Sequence, residues 1–222
     1  MAGLFVVGAC QAEVPQSPEK VGSPGVGFQY VECSGANPFE SPISVGTELS
    51  GRAVTGDGDA LDMTSRITRV EGDLIQTVTE LRSITGDEAS SGTRTLSTYR
   101  NMFAVDAGDR TFQYDEDPIA VIGAMSPDEI KTLSVRETRS GGDRPGTTNV
   151  HYVVKFLGCG RMDILGKPRN IHLFHTSFEQ RKFDGTVGVA ESLVYVSDET
   201  GLPVRKDPAR GGFEEIAPRT RR

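Results

Sequence analysis

The pattern that most constrains this chain is an alternation of apolar and polar residues across 150–157. Four apolar side chains recur there at every second position: Val150, Tyr152, Val154 and Phe156. Successive side chains of a β-strand point to opposite faces, so this period predicts a strand with one buried face. Related patterns follow at 171–178 and 193–204, and we interpret 150–205 as three successive strands of one antiparallel sheet. In the last strand, Leu193 and Tyr195 face one way and Val194 and Val196 the other, which predicts a strand covered on both sides.

The upstream chain shows more of the same pattern. Leu61, Met63, Ser65 and Ile67 alternate with polar residues, and Tyr99, Phe103 and Val105 share even spacing, as do Phe112 and Tyr114. The chain has 26 Gly and 12 Pro, which suit many short strands joined by turns.

A single helix start stands out, at Ser126-Pro127-Asp128-Glu129. Ser126 can cap a helix, Pro127 suits its first position, and the two acidic residues favour an N-terminus. The predicted helix spans only a turn or two, because residues 132–136 alternate like a strand.

The N-terminus has the character of an export signal. Residues 1–9 are apolar and small, and the Pro-rich polar stretch 11–20 follows directly after Cys10. Val7-Gly8-Ala9-Cys10 resembles the bacterial lipoprotein box, in which the cysteine is lipidated and becomes the first residue. The resemblance implies the end of a signal sequence at 1–9 and a lipidated Cys10 on a flexible tether, 10–27. The alternative is a short apolar N-terminal strand.

Cys33 and Cys159 remain once Cys10 is assigned to lipid attachment. In an exported protein, an even pair of cysteines favours a disulfide. The alternative is two free thiols, one or both buried, and the choice depends on export.

Motifs for catalysis or metal binding are missing from the sequence. It has no G-x-S-x-G, no phosphate-binding loop and no dinucleotide fingerprint. His172 and His175 are three apart, which places them on opposite faces of a strand, so we expect no metal site and no cofactor. Cys159 near a histidine could act as a nucleophile, but a structural cysteine is the commoner role in an exported domain.

The net charge of −7 argues against nucleic acid as a partner. The sequence has no run of 18 apolar residues, so we expect no transmembrane helix.

One stretch of the chain resembles the closing strand and turn of bacterial periplasmic half-barrel proteins. It reads Tyr195-Val196-Ser197-Asp198-Glu199-Thr200-Gly201-Leu202-Pro203-Val204-Arg205. The half-barrel proteins include the lipoprotein-localisation factors and related envelope proteins. The hairpin around 158–178 also resembles theirs. The 195–205 stretch is largely a turn signal, in which Gly201 allows positive φ and Pro203 fixes the entry into the strand. The resemblance implies a periplasmic compartment and a long antiparallel sheet that curls around a helix or an apolar cavity.

From these observations we predict a mainly β fold. It is a curved antiparallel sheet, a half-barrel or open barrel, with one or two short helices, over residues 28–206, followed by a flexible tail, 207–222. We expect a cell-envelope protein on the periplasmic side, lipid-anchored to the outer membrane, with no enzymatic activity.

A curved sheet with one apolar face needs something to cover it, and the low predicted helical content favours an apolar ligand such as a lipid. The predicted cavity residues are Tyr152, Val154, Phe156, Leu193 and Tyr195. Two alternatives stay open: a structural or partner-binding lipoprotein with a filled core, and an exported hydrolase with a loop-borne site. The hydrolase would bring a histidine close to a carboxylate or to Cys159.

Overall fold

The strand patterns of the sequence belong to one antiparallel sheet. The computed structural model describes residues 24–25, 27–54, 60–84, 92–141, 145–164, 166–181, 187–208 and 213–219. These residues form thirteen strands: β1 (Gln29–Val31), β2 (Glu48–Val54), β3 (Ala60–Glu71), β4 (Leu74–Ser83), β5 (Gly92–Tyr99), β6 (Phe103–Asp106), β7 (Arg110–Tyr114), β8 (Ile130–Arg139), β9 (Gly146–Ile164), β10 (Lys167–Arg181), β11 (Val187–Ser197), β12 (Pro203–Pro208) and β13 (Phe213–Arg219). They also contain one α-helix, α1 (Pro118–Gly123), and a 3-10 turn at Pro38–Glu40.

Neighbouring strands follow the order β1-β9-β10-β11-β12-β13-β2-β3-β4-β5-β6-β7-β8, and β8 also pairs with β9. The ladder is thinnest at two places, where β12 meets β13 and where β6 meets β7. Within the described residues, each of these contacts consists of one register pair. The described strands thus form one antiparallel sheet, accompanied by a single short α-helix and a 3-10 turn, which confirms the predicted mainly β fold class.

The longest strand, β9, organises the sheet. It pairs with β10 along most of its length, while its other edge pairs first with β8 and then, at 159–161, with β1. A register shift lies between Leu173 and Phe174, opposite Gly158 and Phe156. Such a bulge adds one residue to a strand and changes which side chains share a face beyond it.

The sheet is buried on both faces around β9, β10 and β11. We call one side the helix face, because its buried residues, which include Phe156, Val194 and Val196, cluster with Ile119 and Ile122 of α1. The other side is the strap face, where Leu193 and Tyr195 cluster with other buried residues: Met162, Ile164, Ile171, Leu173 and Val204. The alternation in β11 therefore places side chains in two cores, as the sequence indicated.

The strap face is covered by the start of the described chain. The N-terminal strap, which we define as residues 24–25 and 27–33, packs Phe28 against that cluster. It ends in the disulfide between Cys33 and Cys159.

The predicted helix start at Ser126 is wrong. The helix begins at Pro118 instead, with Asp117 as its N-cap accepting hydrogen bonds from the backbone N–H groups of Ile119 and Ala120. Ser126 and Glu129 form a capped turn, in which the Ser126 N–H donates to Glu129 Oε2 at 2.9 Å. The chain enters β8 directly after it, so the same capping chemistry closes a turn rather than opening a helix.

The turn between β11 and β12 has the predicted glycine requirement. Gly201 has φ of +61°, and a Cβ there would lie 2.5 Å from the carbonyl oxygen of Pro38 and 2.4 Å from Nη1 of Arg100. Both the backbone conformation and the close approach of the 3-10 turn therefore require glycine.

Residues 213–219, which the sequence placed in a tail, form β13 and pair with β2. The predicted signal residues 1–9, Cys10 and most of the predicted tether lie outside the described residues. Within the described part of the chain, no helix is long and apolar enough to cross a membrane.

Candidate functional site

The five residues predicted to line a cavity divide between two cores. Tyr152, Val154 and Phe156 lie on the helix face, whereas Leu193 and Tyr195 lie on the strap face. All except Tyr152 are buried. The sheet separates the two groups, so they do not line one common space.

The partly exposed member, Tyr152, is the centre of an aromatic cluster on the helix face. Its ring centroid lies 4.6 Å from that of Phe178, 5.6 Å from Phe103 and 6.2 Å from Tyr114. The Tyr99 ring meets Tyr114 edge-on at 5.7 Å. We call these five residues the ring cluster.

Strand register explains how the ring cluster forms. Tyr152 in β9 is the direct partner of Phe178 in β10, and Tyr99 in β5 is the direct partner of Phe103 in β6. Directly opposite residues in an antiparallel pair have neighbouring side chains, and aromatic pairs of this kind stabilise a sheet. Phe103 is buried, whereas the other four rings are only partly covered.

Two phenols of the ring cluster, those of Tyr114 and Tyr152, are held neutral. Burial, with further contributions from Tyr152 and Tyr99, raises the pKa of Tyr114 well above its usual value of 10. Burial likewise raises the pKa of Tyr152 to about 12, and the charge of Glu137 adds to that rise. Tyr114 donates its hydroxyl hydrogen to the carbonyl oxygen of Ala104 at 2.9 Å. These phenols therefore act as hydrogen-bonding groups rather than as nucleophiles at neutral pH.

A buried ion pair borders the ring cluster. The Glu137 side chain is 0% exposed, its Oε1 accepts a hydrogen bond from Nε of Arg139 at 2.8 Å, and Nη1 of Arg110 lies 3.8 Å away. A buried carboxylate needs such partners to stay charged. The site thus offers apolar ring faces with fixed polar groups beside them, which is the composition of a small-molecule binding surface.

A separate depression lies between β3, β4 and β5. It has a volume of about 50 Å³ and is lined by Arg69, Glu71, Leu74, Ile75, Gln76 and Ser97. Ligand pockets for drug-sized molecules are on the order of 300–1,000 Å³, so this depression is too small and too polar for a lipid chain.

The three histidines occupy three different environments. His151 is exposed. His175 is buried, and burial lowers its pKa below the usual 6.5. His172 is buried too, and its Nδ1 lies 2.6 Å from Oδ1 of Asp198. Within the described residues, no group of three or more potential metal ligands comes together.

A histidine close to a carboxylate is the arrangement expected of the hydrolase alternative, but this specific pair was not identified from the sequence. His172 and Asp198 are 26 residues apart, and the hairpin of β10 and β11 brings them together, since Ile171 is the register partner of Ser197. The hydroxyl of Ser41 donates to the carbonyl oxygen of Asp198 at 3.0 Å and fixes the turn. The available signal was a pair of strands separated by a turn. Such a hairpin predicts which residues lie opposite each other only when its register is known.

The predicted disulfide is confirmed. Cys33 and Cys159 are joined across 126 residues of sequence, with their Cα atoms 5.1 Å apart. Cys159 lies in the helix-face cluster, and Cys33 packs against it.

Solved structures similar to this chain include two proteins. One is the hypothetical lipoprotein YmcC from Escherichia coli, with 10% identity and a TM-score of 0.48, covering 82% of this chain and 93% of that one. The other comes from Bacteroides fragilis, has a YmcC-like fold and is named as an exported protein. It has 12% identity and a TM-score of 0.45, covering 80% of this chain and 98% of that one.

No family model and no curated protein matches the sequence. At this level of likeness, the function of the chain has to be argued from its own residues.

Proposed function

We propose that this chain is an exported, non-catalytic protein of the bacterial cell envelope that binds an apolar ligand, such as a lipid, on the ring cluster. Its place is the periplasmic side of the outer membrane, where Cys10 carries the lipid anchor. The Cys33–Cys159 disulfide supports export, because such bonds form and persist in oxidising compartments.

The observation that carries the ligand proposal is the incomplete covering of the ring cluster. Tyr99, Tyr114, Tyr152 and Phe178 keep part of their surface exposed, while the surrounding helix face is filled by α1 and the core. Grouped, partly exposed apolar surface of this kind marks interaction sites. The ligand would therefore lie along the rings rather than inside an enclosed cavity.

Intrinsic tyrosine fluorescence provides the test. The chain has no Trp and 5 Tyr, of which Tyr99, Tyr114 and Tyr152 belong to the ring cluster. A full-length Cys10→Ser version would be titrated with palmitate and with phosphatidylglycerol, and the complexes would be weighed by native mass spectrometry. We expect a saturable fluorescence change and a matching mass increment.

A matched pair of variants locates the ligand. Tyr152→Ser removes the central ring, and we expect it to weaken binding by about 10- to 150-fold, since burial of an aromatic ring contributes roughly 1.5–3 kcal/mol. Tyr30→Ser makes the same substitution at a residue that is 58% exposed and outside the cluster, so binding should be unchanged. No uptake of either lipid, or equal weakening in both variants, would contradict the proposal.

The partner-binding alternative is favoured by a different observation. All three residues of β1 are exposed, with Tyr30 at 58% and Val31 at 42%, and within the described residues β1 pairs with β9 alone. An exposed strand edge can accept an extended segment of another protein. Val31→Pro would block such pairing and leave lipid binding on the ring cluster intact.

A further inference from the structure

The histidine–carboxylate pair lies beside the disulfide. His172 in β10 is the direct register partner of Cys159 in β9. Directly opposite residues of an antiparallel pair share a face, with Cβ atoms about 5 Å apart. His172 also stacks on Phe156, a member of the same core cluster as Cys159, with ring centroids 5.4 Å apart and planes 13° apart.

Asp198 engages one of the two nitrogens of the His172 imidazole. Nδ1 is engaged by Asp198 at 2.6 Å, and with the carboxylate ionised it is the Nδ1–H that donates. The stacking on Phe156 fixes the plane of the ring. Nε2 is therefore the nitrogen with which His172 can act on a neighbouring group, and Cys159 is the residue directly across the ladder.

The two cysteines differ in exposure. Cys159 is 7% exposed, between glycines at the centre of the sheet. Cys33 is half-buried and follows the exposed strand β1, with Glu32 and Ser34 exposed on either side. An external thiol therefore reaches Cys33 first, and Cys159 is the sulfur that must leave.

We propose that the Cys33–Cys159 disulfide is a thiol-exchange site, reduced by a protein dithiol in the envelope, with His172 protonating the departing Cys159 and Asp198 positioning His172. The chain is then a substrate of the dithiol protein and not an enzyme itself.

The exchange proceeds in two steps. The thiolate of the dithiol attacks Cys33 Sγ, a mixed disulfide forms, and the Cys33–Cys159 bond breaks with its electron pair on Cys159 Sγ. The Nε2–H of the imidazolium form of His172 protonates that sulfur, and the neutral ring keeps its Nδ1–H on Asp198.

The second thiol of the dithiol protein then attacks the mixed disulfide at its own sulfur. This releases Cys33 as a thiolate, which takes a proton from water, while the protons lost by the dithiol pass to solvent and restore the imidazolium. Two electrons move, so that the dithiol protein ends oxidised and this chain ends with two thiols.

Reduction has a structural consequence at the N-terminal strap. Strand β1 is held to β9 by three register pairs, Gln29 to Val31, and all three residues are exposed. Without the covalent link at Cys33, the strap is retained by those pairs, by Phe28 on the strap face and by the hydrogen bond that the Gly25 N–H donates to the Tyr195 hydroxyl. The exchange would thus set how firmly the chain next to the membrane tether is fixed to the sheet.

The first experiment measures how fast dithiothreitol reduces the full-length Cys10→Ser protein, at constant pH. We expect His172→Gln to slow reduction about tenfold and Asp198→Asn to slow it about threefold. His151→Gln makes the same substitution at an exposed histidine and should leave the rate unchanged. Loss of packing alone would loosen the structure and speed reduction, so the direction of the change separates the two roles.

The second experiment does not depend on how well the variants fold. The protein with native His172 and Asp198 is treated briefly with glutathione, quenched with acid and mapped by mass spectrometry. We expect the mixed disulfide on Cys33 and a free thiol at Cys159. A mixed disulfide mainly on Cys159, or reduction rates that are unchanged or faster in both His172→Gln and Asp198→Asn, would overturn the proposal and leave a purely structural disulfide.

Discussion

The hydroxyl of Tyr195 accepts a hydrogen bond from the backbone N–H of Gly25 at 2.7 Å, across 170 residues of sequence. The Tyr195 ring is fully buried, meets Phe28 edge-on at 5.9 Å, and carries the guanidinium of Arg205 over its face at 5.4 Å. One side chain of the closing hairpin therefore holds the N-terminal strap on the sheet. This contact lies on the strap face, opposite the ring cluster, so it can be altered without touching the proposed ligand site.

The first prediction concerns this hydrogen bond. Tyr195→Phe keeps the ring but removes this hydrogen bond and the one that the hydroxyl makes with Asp207. We expect the free energy of unfolding to fall by about 1–3 kcal/mol, since each hydrogen bond contributes about 0.5–1.5 kcal/mol net. Urea denaturation measures the loss, and amide exchange should become faster at Gly25. Tyr30→Phe, at an exposed ring, is the control. Equal stability of both variants would show that water replaces the contact without cost.

The second prediction concerns Gly160, which lies under the strap. A Cβ added there would be 2.2 Å from Cζ of Phe28 and 2.7 Å from the carbonyl oxygen of Gln29, so Gly160→Ala has to displace the strap. We expect a loss of about 1–3 kcal/mol in the free energy of unfolding, typical of overpacking. Gly92→Ala is the matched control, because a Cβ at Gly92 meets nothing within 4 Å.

A double-mutant cycle identifies the clashing group. If Phe28 is the obstacle, Phe28→Ala combined with Gly160→Ala should cost less than the sum of the two single changes. Additive costs would place the strain in the backbone of Gln29 instead.

The features predicted from the sequence are those that depend on the alternation of apolar and polar residues and on the chemistry of single residues. The alternation at Val194 and Tyr195 indicated a strand covered on both sides, and the even pair Cys33 and Cys159 indicated a disulfide. Gly201 was expected at positive φ. Each of these properties can be inferred from neighbouring residues or from the number of cysteines, and the structure has each of them.

The grouping of side chains across strands was beyond the sequence. Tyr152 and Tyr195 were expected in one cavity, but the face that each strand presents depends on pairing register. The register shift at Leu173 and Phe174 is not visible in the residue pattern. The six-residue helix α1 is too short to show a helical period, so its cap at Asp117 was missed. His172 and Asp198 meet only because a specific register joins β10 to β11.

The third prediction concerns acid stability and His175. Burial lowers the pKa of His175 in the folded protein, with a further lowering by Lys155 that Glu191 opposes. Because the pKa of His175 is lower in the folded than in the unfolded protein, this residue stabilises the fold at pH values above its unfolded pKa, which is near 6.5. That contribution to stability is lost as the pH falls below about 6.5. We expect the free energy of unfolding to decrease by up to about 1.4 kcal/mol per pH unit from this one group.

Urea denaturation between pH 7 and pH 5 measures the slope. His175→Gln should be less stable at neutral pH but should show a shallower decline than the protein with His175. His151→Gln, at an exposed histidine, should keep the steeper decline. Parallel curves for His175→Gln and the unsubstituted protein would contradict the prediction.

The fourth prediction concerns alkaline stability and the ring cluster. Burial raises the pKa of Tyr152 from 10.0 to about 12. Because the pKa of Tyr152 is higher in the folded than in the unfolded protein, its full contribution to stability is present below pH 10. That contribution is lost as the pH rises from 10 through about 12. Tyr152→Phe keeps the ring and removes the titrating hydroxyl, so its unfolding free energy should fall less steeply in that window, by about 1.4 kcal/mol per pH unit at most.

Tyr30→Phe is the matched control for this titration, because it removes an exposed phenol outside the ring cluster. Since Tyr114 and Tyr195 also have raised pKa values, the informative quantity is the difference between each variant and the unsubstituted protein.

A bound lipid would cover the rings further and exclude water from the Tyr152 hydroxyl. We therefore expect lipid-loaded protein to ionise Tyr152 at higher pH than the lipid-free form, measured by phenolate absorbance. An unchanged titration on saturation with lipid would place the ligand away from the ring cluster.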